Sequence, residues 1–252
     1  MTHKAYYNEI ETPLCDWMQS LMDHGQIMAG TVDNRSIHDI SPEDLKQFTR
    51  VHLFAGLAGW DYALQLAGIP ASTSIWTLSC PCQPFSTAGE QKGSSDDRHL
   101  WPIASRLIGK RQPQFIVGEQ VENAVGHGWL DDVSADLEGE DYSCGAAVLG
   151  AHSVRAPHTR QRLYWFAHAK RHVQPWQEPR VGQAGRVGRI VESLPWDRDW
   201  KTALSGFRAL GDGVSRNLAA TDAARNAIVP QTAAVFIQVS FEALNDPLLG
   251  VW

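Results

Sequence analysis

Cys82 stands in the segment Ser79-Cys80-Pro81-Cys82-Gln83-Pro84-Phe85-Ser86, directly behind an apolar stretch that reads as a strand. Ligand sites of open α/β sheets lie at the carboxyl ends of their strands, and two prolines stiffen this loop. A cysteine held there could serve as a nucleophile. The plainer alternative is a small buried apolar residue, since free cysteines are among the most buried side chains. A second feature is Phe54-Ala55-Gly56-Leu57-Ala58-Gly59-Trp60, a glycine turn between a strand and a helix, a device shared by nucleotide-binding proteins in general. Glu119, Arg160 and Arg162 are each unremarkable alone, because isolated charged residues usually face solvent.

Taken in order, these segments resemble the motifs of the cytosine-5 DNA methyltransferases. Pro81-Cys82-Gln83 matches that family's Pro-Cys-Gln motif, and Phe54–Trp60 its cofactor loop. Glu119-Gln120-Val121 resembles Glu-Asn-Val, and Pro157-His158-Thr159-Arg160-Gln161-Arg162 resembles Gln-x-Arg-x-Arg. Asn226-Ala227-Ile228-Val229-Pro230 resembles the closing Gly-Asn-Ser motif. The sequence departs from the family pattern at Ala58, Gln120, His158 and Arg225, which replace a usual Gly, Asn, Gln and Gly.

The resemblance implies a specific chemistry. Carbon 5 of cytosine is a poor nucleophile, so a thiolate must add at carbon 6 before the ring can attack a methylsulfonium. Cys82 takes that role. Charge develops toward ring nitrogen 3, where Glu119 would supply a proton, which requires a raised pKa. Arg162, with Arg160 beside it, would hydrogen-bond the cytosine 2-oxygen and the nearby backbone; phosphate contact is the alternative for either arginine. The base must leave the stack to be reached.

S-adenosylmethionine is the cofactor the resemblance implies, held by Phe54, Ala55, Gly56, Leu57, Gly59 and Trp60, with Pro81, Leu100, Asn226 and Ala227 contributing. Only 28 residues separate Phe54 from Cys82, too few for the acidic strand end that usually lies between these motifs. That unit resembles one at the N-terminus: Asn8-Glu9-Ile10, a helix from Thr12, then Arg35-Ser36-Ile37, the order of a phage-type group. Glu9 would bind the ribose hydroxyls, Ile10 and Ile37 would enclose adenine, and Ser36 would stand where an Asp often meets the adenine amine. This rearrangement is expected to leave the strand order unchanged and to alter only the connections.

The net charge of -6 argues against a polyanionic partner until its distribution is considered. Eight Lys or Arg lie between Arg155 and Ile190 against one acid, Glu178, which fits one-sided contact with nucleic acid or a solvated segment. Gln83, Ser86, Arg180, Arg186 and Arg189 are the expected DNA contacts, with double-stranded DNA as partner and RNA as an alternative. Four cysteines without a CxxC pair imply reduced thiols and no metal site. No apolar run approaches membrane-spanning length and the N-terminus lacks a signal peptide, so a cytoplasmic monomer is expected. The rival readings are a folate-dependent pyrimidine enzyme of the thymidylate synthase kind and a DNA-binding relative without turnover.

The elements that must position these residues read as an α/β domain with a Rossmann-like, mostly parallel sheet. Strands are expected at Tyr6–Ile10, Arg50–Phe54, Ser74–Cys80, Gln114–Val117, Ala146–Ala151 and Leu163–Ala167. Helices are expected at 12–24 with Thr12 as N-cap, and at Trp60–Ala67, Leu100–Ile108, Trp129–Leu137 and Thr232–Leu244. Residues 1–167 would form the catalytic domain, 168–209 a small irregular target-recognition insert, and 210–252 a return to the catalytic domain.

Overall fold

The structure, a computed structural model, describes residues 3–81, 100–156, 158–172 and 227–245. Cys82, Gln83, Ser86, Pro157, Arg180, Arg186, Arg189, Arg225 and Asn226 lie outside the described residues, as does most of the expected insert.

Seven strands form one sheet: β1 (Ala5–Asn8), β2 (Gly30–Asp33), β3 (Arg50–Leu53), β4 (Ile75–Leu78), β5 (Phe115–Val121), β6 (Tyr142–Gly150) and β7 (Gln161–Ala169). Their order is β2-β1-β3-β4-β5-β7-β6. Neighbours from β2 to β5 are parallel, and β7 runs antiparallel to both β5 and β6. Strands β1, β3 and β4 are buried at every position, as expected of parallel strands covered on both faces. Among the described residues the helices are α1 (Thr12–Asp23), α2 (Gly59–Leu66), α3 (Trp101–Arg111), α4 (Trp129–Gly139) and α5 (Pro230–Asn245).

Side-chain alternation assigns the faces. Tyr6, Val51, Leu53, Trp76, Leu78, Ile116 and Trp165 pack with α3, α4 and the segment around Ile37, Ile40 and Leu45. Ile75, Phe115, Val117, Tyr164 and Phe166 pack on the opposite face with α2 and α5. Ala5 and Tyr7 meet Met18 of α1 on that same second face. Trp165 fills its place only because Gly118 lies opposite, where a Cβ would overlap the indole.

This distribution fixes the hand of each crossover. The β1–α1–β2 and β3–α2–β4 connections both pass over the α1/α2 face but step along the sheet in opposite directions, so their hands are opposite. The β2-to-β3 and β4–α3–β5 connections, over the other face, share the hand of β1–α1–β2. One crossover therefore reverses, in a class where almost all are right-handed. It is the connection that runs from the glycine loop through α2 to β4.

The reversed α2 is held by a buried charged cluster. Asp61, in its first turn, faces Arg50 Nη1 at 3.2 Å and His52 Nε2 at 3.5 Å, and accepts hydrogen bonds from the Met28 amide and the Gln65 side chain. Burial works to raise the Asp61 pKa, but His52, Gln65 and Arg50 together hold its carboxyl below the usual range. His52 Nδ1 meets Thr77 Oγ1 at 2.8 Å and its ring stacks on Tyr7. Three strands and the connection before β2 are thus tied to one carboxylate.

Several element limits differ from the sequence reading. The N-cap of α1 is Glu11, one residue before Thr12. Strand β1 ends at Asn8, whose amide bridges the Asp33 and Arg35 carbonyls, so Glu9 and Ile10 follow the strand. Strand β5 continues through Glu119 and Gln120 because both pair with β7. Strand β7 continues through His168 and Ala169, paired with Ser143 and Tyr142, so the first two residues assigned to the insert belong to the sheet.

Replacing Asp61 with Ala leaves Arg50 buried without its carboxylate, and such loss costs about 3–5 kcal/mol. Urea denaturation should show that loss as a lower midpoint with little change in slope, and a smaller loss for Asp61→Asn, which still accepts from Met28. A loss for Asp61→Ala below about 1 kcal/mol, the worth of an exposed ion pair, would remove the cluster's claimed role.

Candidate functional site

The carboxyl ends of the parallel strands and the start of antiparallel β7 share one edge of the sheet. Glu9, Phe54, Ser79, Glu119, Arg160 and Arg162 therefore converge there from five separate parts of the chain, although only some could be aligned by sequence spacing.

The glycine loop begins where β3 ends. Phe54, Gly56 and Ala58 all have positive φ, at 57°, 54° and 62°. Gly56 adopts this conformation without strain, and a Cβ there would meet only open space, so its backbone is open to close approach by a ligand. Ala58, standing where the family has Gly, occupies a left-handed position that favours glycine. Gly59 is required by packing: a Cβ would lie 2.9 Å from Ile228 Cγ1. That contact brings the Ala227–Pro230 segment, expected at the cofactor site, against the loop.

Glu9 reaches across to the same loop. Its carboxylate accepts the Gly56 amide at 2.8 Å and the Glu11 amide at 3.0 Å. Ile10 beside it is 63% exposed, an unusual state for a large aliphatic side chain. An anionic acceptor, an open glycine backbone and an exposed apolar side chain suit a ligand carrying sugar hydroxyls and a flat base. Ile37, expected as the second wall for adenine, is buried in the core, and Ser36 Oγ accepts the His38 amide at the start of a short turn. Leu100 is half-buried just before α3, and Pro81 is exposed at the last described position before Cys82. Trp60 is buried, and its indole N–H donates to Ser79 Oγ at 2.9 Å.

Glu119 lies opposite Tyr164 in the β5–β7 ladder, on the α2/α5 face, and is 6% exposed. Arg162 Nε stands 2.7 Å from its Oε1. Burial pushes the carboxyl up to about 7, while the Arg162 and Arg160 charges pull the other way and only partly offset it. Desolvation disfavours the anion, and the two positive charges favour it. The half-buried Arg160 has its own pKa lowered, first by burial and then by the neighbouring Arg162 charge, with Glu119 opposing. Glu122, three residues on in Glu122-Asn123-Ala124-Val125, which also resembles the Glu-Asn-Val motif, is exposed.

Gln120 is the partner that sequence spacing does not reveal. Its Nε2 donates to the Cys80 carbonyl at 3.2 Å and its Oε1 accepts the Val121 amide at 2.9 Å. The strand end leading toward Cys82 is thus fixed at Ser79 from α2 and at Cys80 from β5. The only signal for this in the sequence was the Gln in place of the family's Asn.

Known proteins resemble the chain in sequence. A family model described as C-5 cytosine-specific DNA methylase matches residues 68–208. The Type II methyltransferase M.NlaX of Neisseria lactamica is 33% identical over 134 residues, 52% of this chain and 42% of that protein. M.HhaI of Haemophilus parahaemolyticus is 35% identical over 88 residues, 33% of this chain and 27% of that protein. The tRNA (cytosine(38)-C(5))-methyltransferase of Schizosaccharomyces pombe is 22% identical over 213 residues, 63% of each chain. The crystal structure of S. pombe Dnmt2 methyltransferase aligns over 73% of this chain and 46% of that one, with 14% identity and a TM-score of 0.44. The chain spans less than two thirds of the length of each of these relatives. With more than half of its residues matched by the family model, the chain belongs to the C-5 cytosine-specific DNA methylase family.

Proposed function

We propose that the protein transfers a methyl group from S-adenosylmethionine to carbon 5 of a cytosine flipped out of double-stranded DNA. The observation that carries this reading is Glu119, a buried carboxyl group raised to about 7 and set beside two arginines at the sheet edge where the Pro81 segment departs. A carboxylic acid that keeps its proton near neutrality is what protonation of cytosine nitrogen 3 demands.

In this reading the Cys82 thiolate bonds to carbon 6 while Glu119 gives its proton to nitrogen 3, and the ring becomes an enamine with a nucleophilic carbon 5. S-adenosylmethionine, when bound, supplies an electrophilic methyl group. Carbon 5 afterwards gives up its proton to solvent water, nitrogen 3 returns its proton to Glu119, and the carbon–sulfur bond breaks, which returns the thiolate. Arg162 and Arg160 hold the cytosine 2-oxygen and keep Glu119 oriented. Glu9 and the backbone at Gly56 hold the ribose, with Phe54, Ala55, Leu57 and Ala227 around the rest of the cofactor and Ile10 against adenine. Gln83, Ser86, Arg180, Arg186 and Arg189 contact DNA, the arginines mainly at phosphates, so a short recognition sequence of roughly two to four base pairs follows from few base contacts. The enzyme works as a monomer in the cytoplasm.

Assays with isotopically labelled S-adenosylmethionine and duplex DNA or transfer RNA, followed by hydrolysis to bases, test the reaction directly. The expected product is 5-methylcytosine from duplex DNA; product from transfer RNA alone would move the substrate, and none from either would support a DNA-binding relative without turnover. The Glu119 acid form predominates below about 7, so the turnover rate should decline as pH rises through that value. Glu119→Gln should lower the rate by about 10²–10⁴-fold, the range for losing a general acid, and abolish that decline. A decline that persists in Glu119→Gln would assign it to another group.

A further inference from the structure

Trp60 opens α2 directly after the glycine loop, yet its ring is turned inward and is 2% exposed. Its single polar group is fully used: the indole N–H donates to Ser79 Oγ at 2.9 Å. The ring meets Tyr164 edge-on, at 6.3 Å between centroids and 83° between planes. Tyr164 in turn is the residue paired with Glu119 across the β5–β7 ladder. One buried indole thus touches the strand end that precedes Cys82 and the residue that backs the candidate acid, and its own helix carries the candidate cofactor loop.

We infer that Trp60 is a positioning residue for methyl transfer, acting through Ser79 rather than by contact with the cofactor. The inference rests on the methyltransferase reading. Ser79 and Cys80 are the last two buried or half-buried residues before exposed Pro81. Trp60 fixes the first through its side chain, and Gln120 fixes the second through its carbonyl. Proline restricts its own φ, and Pro81 is the residue that follows this fixed pair. The direction in which the nucleophile segment leaves the sheet is thereby linked to the glycine loop through α2. A misplacement of about 1 Å in such a group can cost on the order of 100-fold in rate. Losing one positioning hydrogen bond corresponds to about a 2- to 13-fold loss.

Trp60→Phe keeps an aromatic ring against Tyr164 and removes only the N–H, whereas Ser79→Ala removes the acceptor from a half-exposed site. Thermal melts, titration with S-adenosylmethionine and single-turnover methylation of duplex DNA separate the possible roles. Both variants should melt and bind S-adenosylmethionine much like the parent, but transfer methyl about 2- to 13-fold more slowly at saturating cofactor. The double variant should be no slower than the single ones, because both remove the same bond. Ser79→Thr, which keeps a hydroxyl, should recover most of the loss. Unchanged rates in both variants would overturn the inference. So would losses that multiply in the double variant, or a defect confined to cofactor affinity, which would make Trp60 a cofactor contact. Ser79→Ala alone decides the matter if Trp60→Phe does not fold. A parent enzyme that methylates neither DNA nor RNA overturns the methyltransferase reading itself, a result distinct from an active parent with unaffected variants.

Discussion

The fold depends on a carboxylate that has no part in the proposed chemistry. Asp61 sits fully buried in the first turn of α2 and gathers Arg50, His52, Gln65 and the Met28 amide around itself. A buried ion pair is weak evidence for stability, since replacement by apolar residues is often neutral. Here its placement suggests a different use. The α2 crossover has the opposite hand to the other connections over the parallel strands, so the usual coupling between strand twist and helix packing does not favour it. Directional, charged contacts to β3 and to the connection before β2 fix where α2 lies, and with it the glycine loop that α2 carries. Polar contacts of this kind specify one arrangement more narrowly than apolar packing, which tolerates slippage.

From that fixed helix the rest of the edge follows. Glu9 reaches the Gly56 amide from β1, Ile228 closes on Gly59 from the C-terminal side, and Trp60 holds Ser79 at the end of β4. On the far side of β4 the antiparallel strand β7 brings Arg160 and Arg162 to Glu119, because its first residues lie where a parallel strand would place its last. Burial of Glu119 and the nearby positive charges act against each other on its pKa, and burial outweighs the charges, which leaves a proton that is available near neutral pH. Greater exposure would lower that pKa, and loss of the arginines would raise it.

Much of this was legible in the sequence, for identifiable reasons. Strand β4 is a short apolar run bounded by turns, β3 runs directly into a glycine turn, and α1 and α5 repeat apolar residues at helical spacing, so composition and period agree with the structure. The family motifs placed Glu119, Arg160 and Arg162 on one site, and the structure brings them together. What escaped was set by tertiary pairing. Strand β2 has an exposed, polar edge and begins at Gly30, whose missing Cβ lets it lie against Ala5. Strand β6 begins at Tyr142, before the Ala146 start read from its apolar residues, because Ser143 and Gly145 are paired with β7 despite weak strand propensity. The Asp61 cluster was invisible because Arg50, His52 and Asp61 look like surface residues until the strand face they occupy is known. Ile37 and Trp60 were assigned to the cofactor by motif position, and only the fold shows both turned into the interior.

The central claim is that this edge of the sheet operates through a covalent bond from Cys82. A duplex containing 5-fluorocytosine, incubated with the protein and S-adenosylmethionine, tests it directly, because fluorine at carbon 5 blocks the elimination that would free the enzyme. Peptide mass mapping should locate the trapped adduct on Cys82, and Cys82→Ala should abolish it while Cys80→Ala does not. An adduct mapped to Cys80, or no adduct from a folded protein that binds both cofactor and DNA, would contradict the account.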